Sequence, residues 1–177
     1  MTALLALLLL ACRAAWTPGG PGRFSVDPPQ GWEVTRNYRW LGTDNLVLAR
    51  DAAAISLTVQ PSRGRARELP LGVLASVRAL SWGRRLGVQS AILAEHEVLV
   101  DGRRGYAVTG VRRWRRELIG YTTVMVRTEA RLVELTLFAP PALLDAQALA
   151  WQGVLESLRL HEPAPPTPIF VEEQWPP

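Results

Sequence analysis

Lysine is absent from the 177 residues, and all 20 basic side chains are arginine. We read this as a coding bias, because function rarely excludes lysine from every position. One cysteine, Cys12, excludes an internal disulfide framework, a four-cysteine zinc site and a Cys-x-x-Cys redox motif. Two histidines, His96 and His161, leave little for metal chemistry. There is no G-x-S-x-G turn, no P-loop and no G-x-G-x-x-G. Gly19-Gly20-Pro21-Gly22 lacks the following helix that an anion site needs. No catalytic residue and no cofactor is expected, and the chain reads as a non-enzyme. What remains is ordinary globular composition, 48% hydrophobic and 20% charged, in a length that suits one domain with a real core.

The first eleven residues are an uncharged apolar run ending at Cys12. Its core of about nine residues matches the apolar stretch of a signal peptide and falls well short of the roughly 20 that span a bilayer. Leu9-Leu10-Ala11-Cys12 resembles the lipobox of bacterial lipoproteins. That resemblance implies a signal peptide over 1–11, cleavage before Cys12, and lipid attachment on its thiol. Several acyl chains on one residue give firm membrane anchoring where one chain gives marginal binding. The chain departs from the pattern in having no charge before the run except the initiating amine. Arg13 is not the aspartate that retains enterobacterial lipoproteins at the inner membrane, so the periplasmic face of the outer membrane is the expected location.

Residues 12–22 then read as lipidated cysteine and Gly/Pro tether, 23–160 as the folded domain, and 161–177 as a proline-rich tail. Phe24 and Val26 begin a strand that Asp27-Pro28-Pro29-Gln30-Gly31 breaks, and Trp32, Val34 and Arg36 resume it. Leu46 to Ala49 and Ile55-Leu57-Val59 supply two more strands with a period of two. Pro70 opens a helix whose stripe is Val73, Leu74, Val77 and Leu80. Ala91 to Val100, Tyr106 to Val111, Leu118 to Arg127 and Val133 to Leu137 form a four-strand meander, with Asp101 to Gly105 as a hairpin turn taking two positive-φ glycines. Pro140-Pro141 opens a last helix with Leu144, Ala148, Trp151, Leu155 and Leu158 on one side. The expected class is α+β, an antiparallel sheet covered by helices.

Phe24, Val26, Pro29, Gly31 and Trp32 form an F-x-V-x-x-P-x-G-W block. With the meander, the Leu137-Phe138-Ala139-Pro140 segment and the closing helix leading to Leu160, it resembles the PsbP-like fold, including its DcrB-like bacterial lipoproteins. The resemblance spans residues 23–160 and implies an α/β/α sandwich. That fold carries no shared active site, and fold does not imply function.

Three local features bear on function. In Glu95-His96-Glu97, alternation sets His96 on a face with Ile92, Ala94, Val98 and Val100 and both glutamates opposite, a poor metal geometry that predicts a partly buried histidine. Arg112-Arg113-Trp114-Arg115-Arg116 places four arginines around an indole at a hairpin tip, suited to phosphate or lipid headgroups. Arg112, Trp114 and Arg116 should share one face and Arg113 and Arg115 the other. Pro163-Ala164-Pro165-Pro166-Thr167-Pro168, followed by Ile169-Phe170-Val171 and Trp175, could add to a sheet edge of this chain or of a partner. Together these predict an anchored envelope protein that acts as an accessory binding or assembly factor. Its partners would be the membrane, through the lipid, and an envelope protein or anionic lipid. The alternative is a chaperone-like module holding apolar segments of secreted or membrane proteins, which needs a concave apolar groove. Nucleic acid is an unexpected partner for an exported chain, although the pI is about 10.2.

Overall fold

The computed structural model describes residues 23–84, 90–114 and 117–161. Their elements in chain order are β1 (Phe24–Ser25), β2 (Glu33–Trp40), β3 (Thr43–Arg50), β4 (Ala53–Pro61), α1 (Arg65–Glu68), α2 (Leu71–Arg84), β5 (Ser90–Val100), β6 (Arg103–Trp114), β7 (Glu117–Arg127), β8 (Arg131–Ala139), α3 (Ala148–Ser157) and β9 (Arg159–Leu160). Two antiparallel meanders, β2-β3-β4 and β5-β6-β7-β8, join side by side at β4 and β8 in the order β2-β3-β4-β8-β7-β6-β5. The seam is apolar: Ile55 pairs with Leu137, Leu57 with Leu135 and Val59 with Val133, and all six side chains are buried. Shifting this register by one residue would turn every one of them out of the core. This is the expected antiparallel α+β class. Among the described residues no helix is long and apolar enough to cross a membrane.

The two faces of the sheet are covered unequally. On one face, Leu46, Leu48, Leu57, Leu135 and Leu137 pack with Phe24, Val26 and Trp32 and with Val154, Leu158 and Leu160 near the chain's end. The antiparallel ribbon of β1 and β9 closes this layer beside α3. On the other face, α2 lies over β5, β6 and β7. There Ala75 and Ala79 meet Val108, Tyr121 and Met125. The small alanines, and Gly72 against the Tyr106 ring, let the helix approach closely.

Several expectations are corrected. Of the expected stripe Leu74 packs toward the sheet, with Leu71 beside the buried Ala75 and Ala79, while Val73, Val77 and Leu80 stay about half exposed. Pro140-Pro141 opens two short 3-10 turns, Pro141–Leu143 and Asp145–Gln147, and the α-helix starts only at Ala148. Leu158 is buried but already extended, past the helix end, and Val154 is the buried side chain of the helix. The β5–β6 turn takes its positive φ at Asp101 and Gly102. Gly105 lies within β6, where a Cβ would meet the Met125 carbonyl at 2.9 Å.

Candidate functional site

Because α2 stops over β5 to β7, the outer faces of β2, β3 and β4 carry no covering layer among the described residues. These faces and the side of α2 enclose a groove of about 480 Å³. Its rim is β2, where Arg36, Tyr38 and Trp40 pair with Val47, Asn45 and Thr43 of β3. Tyr38 is 51% and Trp40 69% exposed. A register shift between Val34 and Arg36 puts them there. Val34 lies opposite the core residue Leu48, so strict alternation would have sent Arg36 to the core face with it. One extra residue in the strand reverses the alternation and sends Arg36, Tyr38 and Trp40 to the open face. The floor mixes hydroxyl and amide groups, from Asn45, Ser56, Thr58 and Gln60, with the apolar Val47 and Phe138. Thr58 Oγ1 donates to Asn45 Oδ1 at 3.1 Å, leaving the Asn45 amide nitrogen to face the groove as a donor.

The far wall is charged. Arg78 of α2 donates through Nε to Glu134 Oε2 at 3.0 Å, and the Glu134 side chain is 7% exposed. Burial pushes the Glu134 carboxyl above the usual carboxylate range, and the Arg78 guanidinium opposes that shift only in part. The folded-state pKa therefore exceeds the unfolded value of about 4.3. Between the two, the native state binds the extra proton, so this group's contribution to stability is full below about pH 4.3 and is lost as pH rises through the folded value. Glu134→Gln keeps an acceptor for Arg78 without the charge. We expect the variant to match the wild type near pH 4 and to become relatively more stable toward pH 7.5 in urea melts. A deficit of constant size at every pH would contradict this.

The sequence-derived site residues are distributed as follows. Arg112 is half-buried, its guanidinium 4.5 Å from the Phe138 ring centroid beneath α2. Burial lowers its affinity for a proton. Arg113 is exposed on the opposite face. Of Trp114 the structure describes the backbone, paired with Glu117. Arg115 and Arg116, like Cys12 and the tail from residue 162, lie outside the described residues. Arg112 and Arg113 therefore diverge, the first half-buried against Phe138 and the second exposed on the other face.

His96 is exposed, contrary to the expected partial burial. A register shift between Ile92 and Ala94 returns Ile92 to the α2 face, where it packs with Tyr106, while Ala94, His96 and Val98 face the other way. Glu95 is more than a surface acid. Its carboxylate accepts from Ser76 Oγ at 2.9 Å and from the Tyr106 hydroxyl at 3.1 Å, tying α2 to the sheet. That bond raises the Tyr106 pKa. His161 Nε2 lies 3.3 Å from Ser25 Oγ. Sequence reasoning missed Tyr38, Trp40, Arg78 and Glu134. The only signal for the first two was a pair of aromatics two residues apart.

No protein-family profile and no curated protein sequence matches the chain. Solved structures do. The solution structure of cyanobacterial PsbP (CyanoP) from Synechocystis superposes with a TM-score of 0.61 at 11% identity, covering 78% of this chain and 87% of that one. LpqN, described as involved in cell envelope biogenesis of Mycobacterium tuberculosis, gives 0.59 at 14% identity, over 84% of this chain and 90% of its own. The Ran-binding protein Mog1p of Saccharomyces cerevisiae gives 0.56 at 11% identity, over 78% and 90%. The fold of the described residues is the PsbP-like fold.

Proposed function

We propose that this PsbP-like domain is a lipid-anchored, non-catalytic binding or assembly module of the cell envelope, and that the open half of its sheet is the ligand surface. The observation that carries the reading is the groove itself. Folding buries Phe24, Trp32 and Tyr121 but leaves Tyr38 and Trp40 in water, beside convergent amide and hydroxyl groups. An exposed aromatic rim over a mixed polar and apolar floor is the composition of a recognition site. The lipobox-like Leu9-Leu10-Ala11-Cys12 supports anchoring through Cys12, with the outer-membrane periplasmic face following from Arg13. LpqN, involved in cell envelope biogenesis, and Mog1p, a Ran-binding protein, give precedents for envelope-related and binding roles on this fold. Arg113, Arg115 and Arg116, with Trp114, are assigned contact with anionic headgroups, and Arg112, half-buried against Phe138, stands apart from that contact.

The test uses the full chain in native membranes, with a photo-reactive residue at position 38. We expect a lipid-sized mass increment on Cys12 and a discrete crosslinked envelope partner, both lost in Cys12→Ala together with membrane sedimentation. Joint replacement of Arg113, Arg115 and Arg116 by alanine should weaken co-sedimentation with anionic vesicles several-fold. An unmodified Met1 terminus in the soluble fraction, or no crosslink from position 38, would overturn the reading.

A further inference from the structure

We infer that the groove is built for a polyproline-II segment and that its resident occupant is this chain's own Pro163-Ala164-Pro165-Pro166-Thr167-Pro168. The inference rests on the reading of the open sheet face as the ligand surface and names what that surface takes.

The ligand class follows from the lining. A polyproline-II strand has no internal hydrogen bonds and its prolines carry no N–H, so it offers flat apolar rings and a row of carbonyl acceptors. A groove that reads it needs aromatic faces and donors, and has little use for acceptors. Tyr38 and Trp40 stand on one face of β2 two residues apart, about 7 Å along the strand. Asn45, Gln60 and Arg36 supply donors around them. The groove's carboxylate, Glu134, already accepts from Arg78. Rings and donors thus dominate.

The occupant follows from where the chain leaves the fold. The His161 N–H donates to the Arg23 carbonyl at 2.9 Å. The Arg23 guanidinium bonds the Gly42 carbonyl and pairs with Asp44 at 3.5 Å. Gly42 is in the β2–β3 turn, two residues from Trp40, so the described chain ends, at His161, within one arginine side chain of that turn, on the face where Asp44 is buried. Six residues of polyproline II span about 19 Å, and Arg36 to Trp40 spans about 14 Å. The step from Trp40 to Tyr38 takes about 7 Å of the segment's length, which leaves about 12 Å for the path around the β2–β3 tip from the core face. A short tether also holds it at a millimolar-range effective concentration, so weak intrinsic affinity suffices for occupancy.

The experiment titrates a synthetic peptide of residues 162–170 into the full chain and into a full-chain variant carrying Pro165→Ala, Pro166→Ala and Pro168→Ala. The variant frees the groove without touching the described fold. We expect the peptide to bind the variant at least tenfold more tightly than the wild type, whose own segment competes. Adding Trp40→Ala, or Gln60→Ala should the tryptophan variant fail to fold, should abolish that binding. Equal binding to wild type and variant would show that the segment is not resident. Absence of binding to the variant would remove polyproline as the ligand, and a wild-type deficit that grows with protein concentration would assign the occupant to a second copy. If position 38 still crosslinks an envelope partner while the peptide fails, the ligand-surface reading stands and the polyproline assignment falls alone.

Discussion

Gly110→Ala is expected to cost about 3 kcal/mol and to lower the melting temperature by about 10 °C, from the addition of one methyl group. Gly110 sits in β6 opposite Ile92, at the register shift of β5. A Cβ there would press into the Ala91 carbonyl and approach Tyr121 Cζ at 2.7 Å. Neither neighbour can yield cheaply. The carbonyl belongs to the backbone of the paired strand, and the Tyr121 ring is buried beneath α2 with its hydroxyl 3.4 Å from Ser90 Oγ. Relief requires parting β5 from β6 or lifting α2. The matched control is Gly153→Ala in α3, where nothing lies within 4 Å of the added carbon. There alanine should stabilise by roughly 0.5–1 kcal/mol, from backbone entropy and helix propensity. Thermal melts of the two variants would settle the assignment. A Gly110→Ala protein that melts with the wild type would mean that β5 is not seated on β6 as described.

The same edge strands explain what could and could not be read from the sequence. Alternation located β4 and β8 correctly, because both faces of a central strand are fixed by neighbours and the period holds without interruption. It failed at β2 and β5, the outermost strands. Each carries a one-residue register shift, at Thr35 and at Leu93, and one extra residue inverts every later assignment on that strand. That is why Arg36 was grouped with Val34, and Ile92 with His96. Bulges of this kind keep an exposed edge from pairing with another chain, so the interruption has a physical purpose without a compositional mark. Tyr38 and Trp40 were lost for a related reason: all of β2 is exposed, and exposure on both faces leaves no hydrophobic period to detect. The helices misled through size. Of the stripe Val73, Leu74, Val77 and Leu80, Leu74 packs on the sheet beside Leu71, while the buried positions are Ala75 and Ala79, whose small side chains admit the close approach over Tyr106 and Tyr121. Alternation with Val133 and Leu135 sets Glu134 on the opposite face of β8, and only the placement of Arg78 against it makes it a wall of the groove.

Phe24→Ala carries the second large effect, about 3–5 kcal/mol against a total stability of 5–15 kcal/mol for an ordinary domain. Phe24 is fully buried, in a strand of two residues that among the described residues pairs only with β9. Its ring is the means by which so short a ribbon stays attached, since a two-residue ladder contributes little by itself. Across the ribbon it faces Leu160, whose N–H donates to Asp101 Oδ2 at 2.9 Å while the same carboxylate oxygen holds Arg103 Nη1 at 2.7 Å. Removing the ring should therefore loosen the ribbon before the sheet. In urea melts the midpoint should fall with the slope preserved, and native-state hydrogen exchange at Leu160 and His161 should accelerate more than at Leu57 or Leu135. Phe24→Leu, which keeps most of the buried area, should recover the greater part of the loss. Uniform acceleration across β4, β8 and β9 would instead make Phe24 one more member of a single cooperative core. Selective loosening would identify it as the pin that fixes Arg23 and His161, and with them the point beside the β2–β3 turn from which the proline-rich segment leaves the fold.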